Sequence, residues 1–266
     1  MKSYGAKHKC TKVFLEWLKN ASTIQGADSS VKVELNKFKE AIERLVAGSM
    51  LVMNEQIAQV YAKGFSVTSA YGAGSAGGDG KALFATDHPI KKTGGTFSNR
   101  AAAGQVLSAA NLEAAILAYK TNVKTANGYR IKLPEVFDLL VPRVLETSAR
   151  KILNSNGDQA GVYAGTGTNA NLLNVFSFQG SKVRLTVVDM IGELAADGTT
   201  IGNDAMWFLL NKEYALRYKA FRVFRLWSNE ITSWVDNETD AMFTKITTHF
   251  GVDFYNPECV YAYAGD

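Results

Sequence analysis

Apolar residues recur at steps of mostly three or four from Val31 to Lys63, through Leu35, Phe38, Ile42, Leu45, Met50, Met53, Ile57 and Tyr61. That spacing places side chains on one helical face. It predicts a single helix of about 50 Å at about 1.5 Å per residue, a strut longer than a small core requires. Asp28, Ser29 and Ser30 are the candidate N-caps, Glu40 and Arg44 form an i,i+4 pair, and Gly64 supplies the left-handed stop. A second helix is expected from Ser108, with Leu107 and Leu112 as a hydrophobic staple and Leu112, Ala115, Ile116 and Tyr119 on one face. A third carries Leu145, Ala149, Ile152 and Leu153, with Pro142 in its first turn.

Strand signals are shorter. "KCTKVFLEW" precedes the long helix through the polar turn "NASTIQGADSS", and "FDLLV" is a buried-strand run ahead of Pro142. After a Gly/Asn-rich loop, "NSNGDQAGVYAGTGTNAN", come "VFSF", "KVRLTVVD", "AMWFLL", "YKAFRVFRLW" and "EITSWV", and residues 242–264 read as two strands broken by "YNPE". Phe65 to Arg100 is mostly loop, bracketed by "GAGSAGG" and "KKTGGTFSN". No fixed-period repeat is visible, so the expected class is α+β with a strand-rich second half.

Composition narrows this picture. A chain of 266 residues, 47% hydrophobic and 20% charged, has enough apolar mass for one large domain or two modest ones and does not resemble a disordered polymer. A net charge of +4 lacks the dense basic runs of a dedicated nucleic-acid binder. The two cysteines, Cys10 and Cys259, form neither a disulfide framework nor a metal-ligand spacing, which fits a reducing compartment. The N-terminus has no apolar signal region, and no run reaches the ~18 apolar residues of a membrane span. The expectation is a soluble, cytosolic protein.

Chemistry concentrates in "GDGKALFATDHP", Gly78 to Pro89. Gly72, Gly74 and Gly77 satisfy G-x-G-x-x-G, but the chain runs on into more glycine where a dinucleotide site needs a helix to open. Gly80-Lys81 fails as a phosphate loop, with Ser75 where the first glycine belongs and Ala82 where magnesium would need a hydroxyl. "AGSAG" around Ser75 imitates a nucleophile elbow without its strand-to-helix context. His8, His88 and His249 are scattered, so no metal and no cofactor is expected. Asp87-His88 could form a local acid-base pair. The favoured reading is a shaped loop: an Asx turn at Asp79-Gly80, an apolar plug at Leu83-Phe84, a rigid His88-Pro89 step, and Asp87 satisfying nearby backbone donors. Lys212, Arg217, Lys219, Arg222 and Arg225, among aromatics, read as a solvated sheet face, with nucleic-acid contact as the second meaning.

"DGKALFATDHP" followed by "GGTFSN" and "LSAANLEAAI", and then "LLVPRVLETSARKIL", closely resembles the Mu-like group of tailed-phage major capsid proteins. The resemblance covers roughly residues 11 to 266. It implies the Johnson capsid fold, with a long spine helix, a peripheral domain, an axial domain and a partial extended hairpin. In this sequence 1–27 would be the remnant of the hairpin or N-terminal arm, 28–104 and 236–266 the peripheral domain with the spine helix, and 105–235 the axial domain. Only about 30 residues precede the long helix, so the outgoing hairpin strand is expected to be short, absent or processed away.

The implied function is structural and not enzymatic. Copies of the chain form pentamers and hexamers of an icosahedral head that encloses double-stranded DNA by non-specific charge contact. Scaffolding, portal and decoration proteins are the further partners, no membrane is involved, and assembly takes place in the host bacterial cytoplasm. The motif residues Asp79, Gly80, Leu83, Phe84, Asp87, His88 and Pro89 are expected at or near a subunit contact, with replacement of Phe84 by Asp leaving a soluble chain unable to form shells. Two rivals remain: an encapsulin-like compartment, and a nucleotide-binding or hydrolytic enzyme built on Gly72 to His88.

Overall fold

The computed structural model describes residues 2–11, 29–67, 79–154, 182–195, 198–236, 238, 241–254 and 256–266. In chain order the elements are β1 (Lys2–Thr11), α1 (Ser29–Ala62), β2 (His88–Pro89), β3 (Thr96–Phe97), α2 (Ala109–Asn122), β4 (Val136–Val141), α3 (Glu146–Asn154), β5 (Lys182–Val187), β6 (Trp207–Leu210), α4 (Lys212–Arg217), β7 (Phe221–Asp236), β8 (Ala241–Phe254) and β9 (Val260–Tyr263). Arg143–Leu145 and Pro257–Cys259 are 3-10 turns. The chain divides into two compact units, one of Met1–Glu55 with Val223–Gly251 and one of Gln56–Arg222 with Val252–Asp266.

The first unit holds a three-stranded sheet in the order β1-β8-β7, with β1 antiparallel to β8 from Lys2 opposite Phe250 to Thr11 opposite Ala241. Ile246 and Phe250 are buried, and Ser233 and Thr244 approach to 3.2 Å between their hydroxyls. The expected Glu40–Arg44 pair forms at 2.6 Å on the exposed face of α1. Met50 departs from the predicted stripe and is exposed. The five-residue step from Leu45 turns it about 140° off the face at about 100° per residue. The expected strand "KCTKVFLEW" is met only by Lys9–Thr11 at the end of β1; its remainder, the cap candidate Asp28, and the side chains of Leu35 and Phe38 lie outside the described residues.

In the second unit the sheet order is β5-β4-β6-β9. The β4–β5 pair is parallel, whereas β6 is antiparallel to both β4 and β9. This sheet is the centre of the core. Leu139, Trp207, Phe208, Leu209, Val260 and Ala262 are sealed within it, joined by Leu112, Ala115, Ile116 and Tyr119 from α2 and by Ala58, Val60 and Tyr61 from the end of α1. Helix α2 follows the local code: Ser108 accepts a hydrogen bond from Asn111 N at 3.2 Å, and the four buried residues are the predicted ones. The one acid in β4, Asp138, is buried and receives two bonds from Arg184 across the parallel register, at 2.7 and 2.8 Å. Such bidentate pairing is what an interior carboxylate requires.

The 3-10 turn before β9 ties several segments together. Glu258, buried, accepts from Ala126 N at 2.7 Å and from the Tyr214 hydroxyl at 2.5 Å, while its carbonyl accepts from Tyr119 at 2.9 Å. Burial, and then the bond to Glu258, pushes the Tyr214 hydroxyl well above its usual titration range.

Four local expectations are corrected. Gly64 does not stop α1 through a left-handed backbone, since it is absent from the positive-φ residues; a Cβ there would meet the Phe84 ring at 2.8 Å, so close packing selects the glycine. Lys212 and Arg217 lie on α4 and not on a sheet, because Asn211 caps that helix by accepting from Tyr214 N at 3.0 Å. "EITSWV" is no separate strand but the continuation of β7. Finally, Pro142 caps the 3-10 turn that leads into α3. The loops "GAGSAGG" and "NSNGDQAGVYAGTGTNAN", with the exception of Asn154, and the strand "VFSF" fall outside the described residues.

Candidate functional site

The described part of the motif, Asp79 to Pro89, folds around three side chains. Asp79 Oδ1 accepts from Lys81 N at 3.1 Å, closing the predicted Asx turn, and Gly80 sits at φ 77° in open space. The plug is real: Leu83 and Phe84 are buried, and Phe84 N donates to Gly64 O at 2.9 Å. The Phe84 ring packs on Phe65 and Phe208 at centroid distances of 4.8 and 5.5 Å.

The step His88-Pro89 is a strand, β2, paired antiparallel with β3 so that His88 faces Phe97 and Pro89 faces Thr96. The His88 ring, buried, stacks on Phe97 at 5.0 Å. Its Nδ1 lies 2.6 Å from Asp79 Oδ2 and its Nε2 lies 3.2 Å from Asn99 Oδ1. With an acceptor against each ring nitrogen, no lone pair of His88 is presented to a substrate.

The expected pairing of Asp87 changes. It does not pair with His88; its carboxylate is exposed and bound to the Lys81 ammonium, which, helped by a bond to its own backbone, holds it below the usual carboxylate range. Asp79 is the carboxylate that meets His88. Leu83, Phe84 and His88 are spent inside the subunit, so Gly80, Thr86 and Asp87 are what the motif offers to its surroundings.

Sequence reasoning missed Asn99. Its Nδ2 donates to Leu83 O and Pro257 O, each at 2.8 Å, and its Oδ1 accepts from Ala85 N at 3.0 Å. Its backbone accepts from Ala262 N and donates to Ala85 O, at 2.9 and 3.2 Å. The only available hint was a polar residue ending "GGTFSN". Gly72, Gly74, Ser75 and Gly77, the basis of the enzyme reading, lie outside the described residues. Among the described residues no three His, Cys, Asp or Glu side chains are grouped to hold a metal, and no helix is long and apolar enough to cross a membrane.

The Asp79, His88 and Asn99 side chains are spent on holding the loop in shape, which is a structural role. The sequence agrees at family level: residues 34–263 match the phage capsid protein family, and the chain belongs to that family. It is a head-shell subunit of the virion capsid, associates with its own copies, and is not an enzyme. No curated protein sequence matches it.

At a TM-score of 0.50, a solved structure agrees in fold. A phage-related protein from Bordetella bronchiseptica RB50 is 10% identical, with 99% of this chain and 75% of that chain covered and a TM-score of 0.50. The head structure of Helicobacter pylori bacteriophage KHP40 is 12% identical over 98% of this chain and 73% of that one, at a TM-score of 0.45. The capsid of cyanophage P-SCSP1u is 13% identical over 98% and 71%, also at 0.45.

Proposed function

We propose that copies of this chain tile as pentamers and hexamers into the icosahedral head of a tailed phage of the Mu-like group and enclose double-stranded DNA. The observation that carries this is the family match across residues 34–263. A shell needs many contacts of modest strength, each burying ~1,600 Å² at standard size, and ring closure of heterologous contacts lets one chain supply them all.

In this reading 28–104 and 236–266 form the peripheral domain with α1 as its spine, 105–235 the axial domain, and 1–27 the remnant of the extended hairpin. The net charge of +4 supports a DNA contact that is weak and blind to sequence. Assembly takes place in the bacterial cytoplasm with scaffolding, portal and decoration proteins as partners. Because Leu83, Phe84 and His88 are buried in the subunit, the exposed edge at Gly80, Thr86 and Asp87 is the part of the motif that touches a neighbour.

Electron microscopy of the purified chain, alone and with co-expressed phage head proteins, tests this directly. Closed shells or tubes are the expected result. A chain that stays a monomer or dimer in both settings overturns it.

A further inference from the structure

One cleft of about 560 Å³ opens in the second compact unit, within the range of about 300–1,000 Å³ that holds a bound group. One wall is the turn from Thr125 to Lys132, held by Gly128 N to Thr125 O at 2.7 Å and Thr125 N to Tyr129 O at 2.9 Å. The other is α4 with Tyr218, and Asn211 Nδ2 joins the walls by donating to Lys132 O at 3.1 Å.

The charges of the cleft are unevenly spent. Its two acids are engaged: Glu258 with Ala126 N and Tyr214, and Glu213 with Glu135 N at 3.1 Å. Its three cations, Arg130, Lys132 and Arg217, are exposed and have no side-chain partner among the described residues. Tyr129 and Tyr218 flank them at 62% and 51% exposure. Lys92 adds a fourth positive charge, lying 5.1 Å from the Tyr129 ring centroid. Arginine and tyrosine around a concave surface are the composition of a protein-docking site.

The same unit carries a surface of matching chemistry. The segment from Val188 to Ala195 is pinned by Gly192 N to Ile201 O at 2.8 Å, Ile201 N to Glu193 O at 2.9 Å and Ala195 N to Thr199 O at 2.8 Å. It exposes the carboxylates of Asp189 and Glu193, and beside them Leu194 at 71% exposure. None of these residues lines the cleft of its own chain.

We infer that the cleft at Arg130, Lys132 and Arg217 receives the acidic turn Asp189–Leu194 of a second copy of this chain. The contact is heterologous, with different patches on each partner, so repetition around an axis closes a ring. The inference rests on the self-assembly reading and adds the pair of surfaces that makes one of its contacts.

The test uses the full chain under conditions in which the wild type forms particles. Arg130→Glu with Arg217→Glu should lower particle yield at least about tenfold, because like charges then face each other across the interface. The thermal unfolding midpoint should be unchanged, and adding Asp189→Lys with Glu193→Lys should restore particles. Independently, Arg217→Cys with Glu193→Cys in one chain should give an interchain disulfide ladder in assembled particles that neither single variant gives. Normal particles from the reversed cleft, a defect that the second pair leaves unrescued, shells that form but lose DNA, or well-formed double-cysteine particles without a ladder would each overturn the inference while leaving the shell reading intact. If the wild type forms no particle at all, both fall together.

Discussion

His88 and Asn99 meet inside the protein with Nε2 and Oδ1 3.2 Å apart, and Asn99 carries the motif from there to the 3-10 turn before β9 through its bond to Pro257 O at 2.8 Å. Replacing Asn99 with Ala removes the donor from the buried Leu83 carbonyl and the part-buried Pro257 carbonyl, and the acceptor from the part-buried Ala85 N. Unsatisfied buried groups cost about 1–3 kcal/mol each, so a loss of about 3 kcal/mol is expected in urea denaturation. Asp79→Asn keeps the shape and weakens one bond, with an expected loss of about 1 kcal/mol.

Gly64 and Gly80 separate two uses of glycine. At Gly64 a Cβ would sit 2.8 Å from the Phe84 ring, so Gly64→Ala overpacks the core and should cost about 1–3 kcal/mol. At Gly80 nothing lies within 4 Å, but φ is 77°. Gly80→Ala should therefore cost only about 1–2 kcal/mol of backbone conformation. A double-mutant cycle with Phe84→Leu distinguishes them: it should couple to Gly64→Ala and add to Gly80→Ala.

Phe84→Asp is a folding variant and not an assembly variant. The ring is fully enclosed, so an aspartate there is an unpaired buried charge with an expected loss above about 4 kcal/mol and no soluble folded chain. Asp87→Arg is the assembly probe, since Asp87 is exposed. Its thermal midpoint should stay close to that of the wild type while particle yield falls, checked by calorimetry and sedimentation of the same preparation.

Alkaline pH should unfold the chain through groups that are buried in neutral form. Burial pushes the Cys259 thiol well above its ordinary 9.0 and the Tyr61 and Tyr261 hydroxyls above their ordinary 10.0. The unfolded chain releases these protons first, so the stabilisation is complete below pH 9 and declines as pH rises from there toward the raised folded values. Urea midpoints between pH 7 and 11 should fall, and Cys259→Ala should flatten the decline between pH 9 and 10.

Much of the second unit was legible from short-range rules. The Ser108 cap, the Leu112 to Tyr119 face and the β4 run each depend on residues within a few positions of one another, and each formed as the pattern predicts. The motif was legible as a shaped loop with an Asx turn and an apolar plug. Its hub was not, because Asn99 gains its role from groups at separations of 11, 16 and 158 residues. The cap at Asn211 was readable, yet the basic and aromatic residues after it suggested a strand more strongly than one polar residue suggested a helix.

The sequence by itself determined the α+β class, the long helix and the membership of a capsid family, because periodicity, caps and motif spacing are written in neighbouring residues. Only the tertiary structure decided that Phe84 is core, that Asp79 and not Asp87 meets His88, and that Gly64 exists for the ring pressed against it. Those outcomes depend on which distant backbone arrives beside each side chain, and hydrophobic burial chooses that neighbour without regard to separation along the chain.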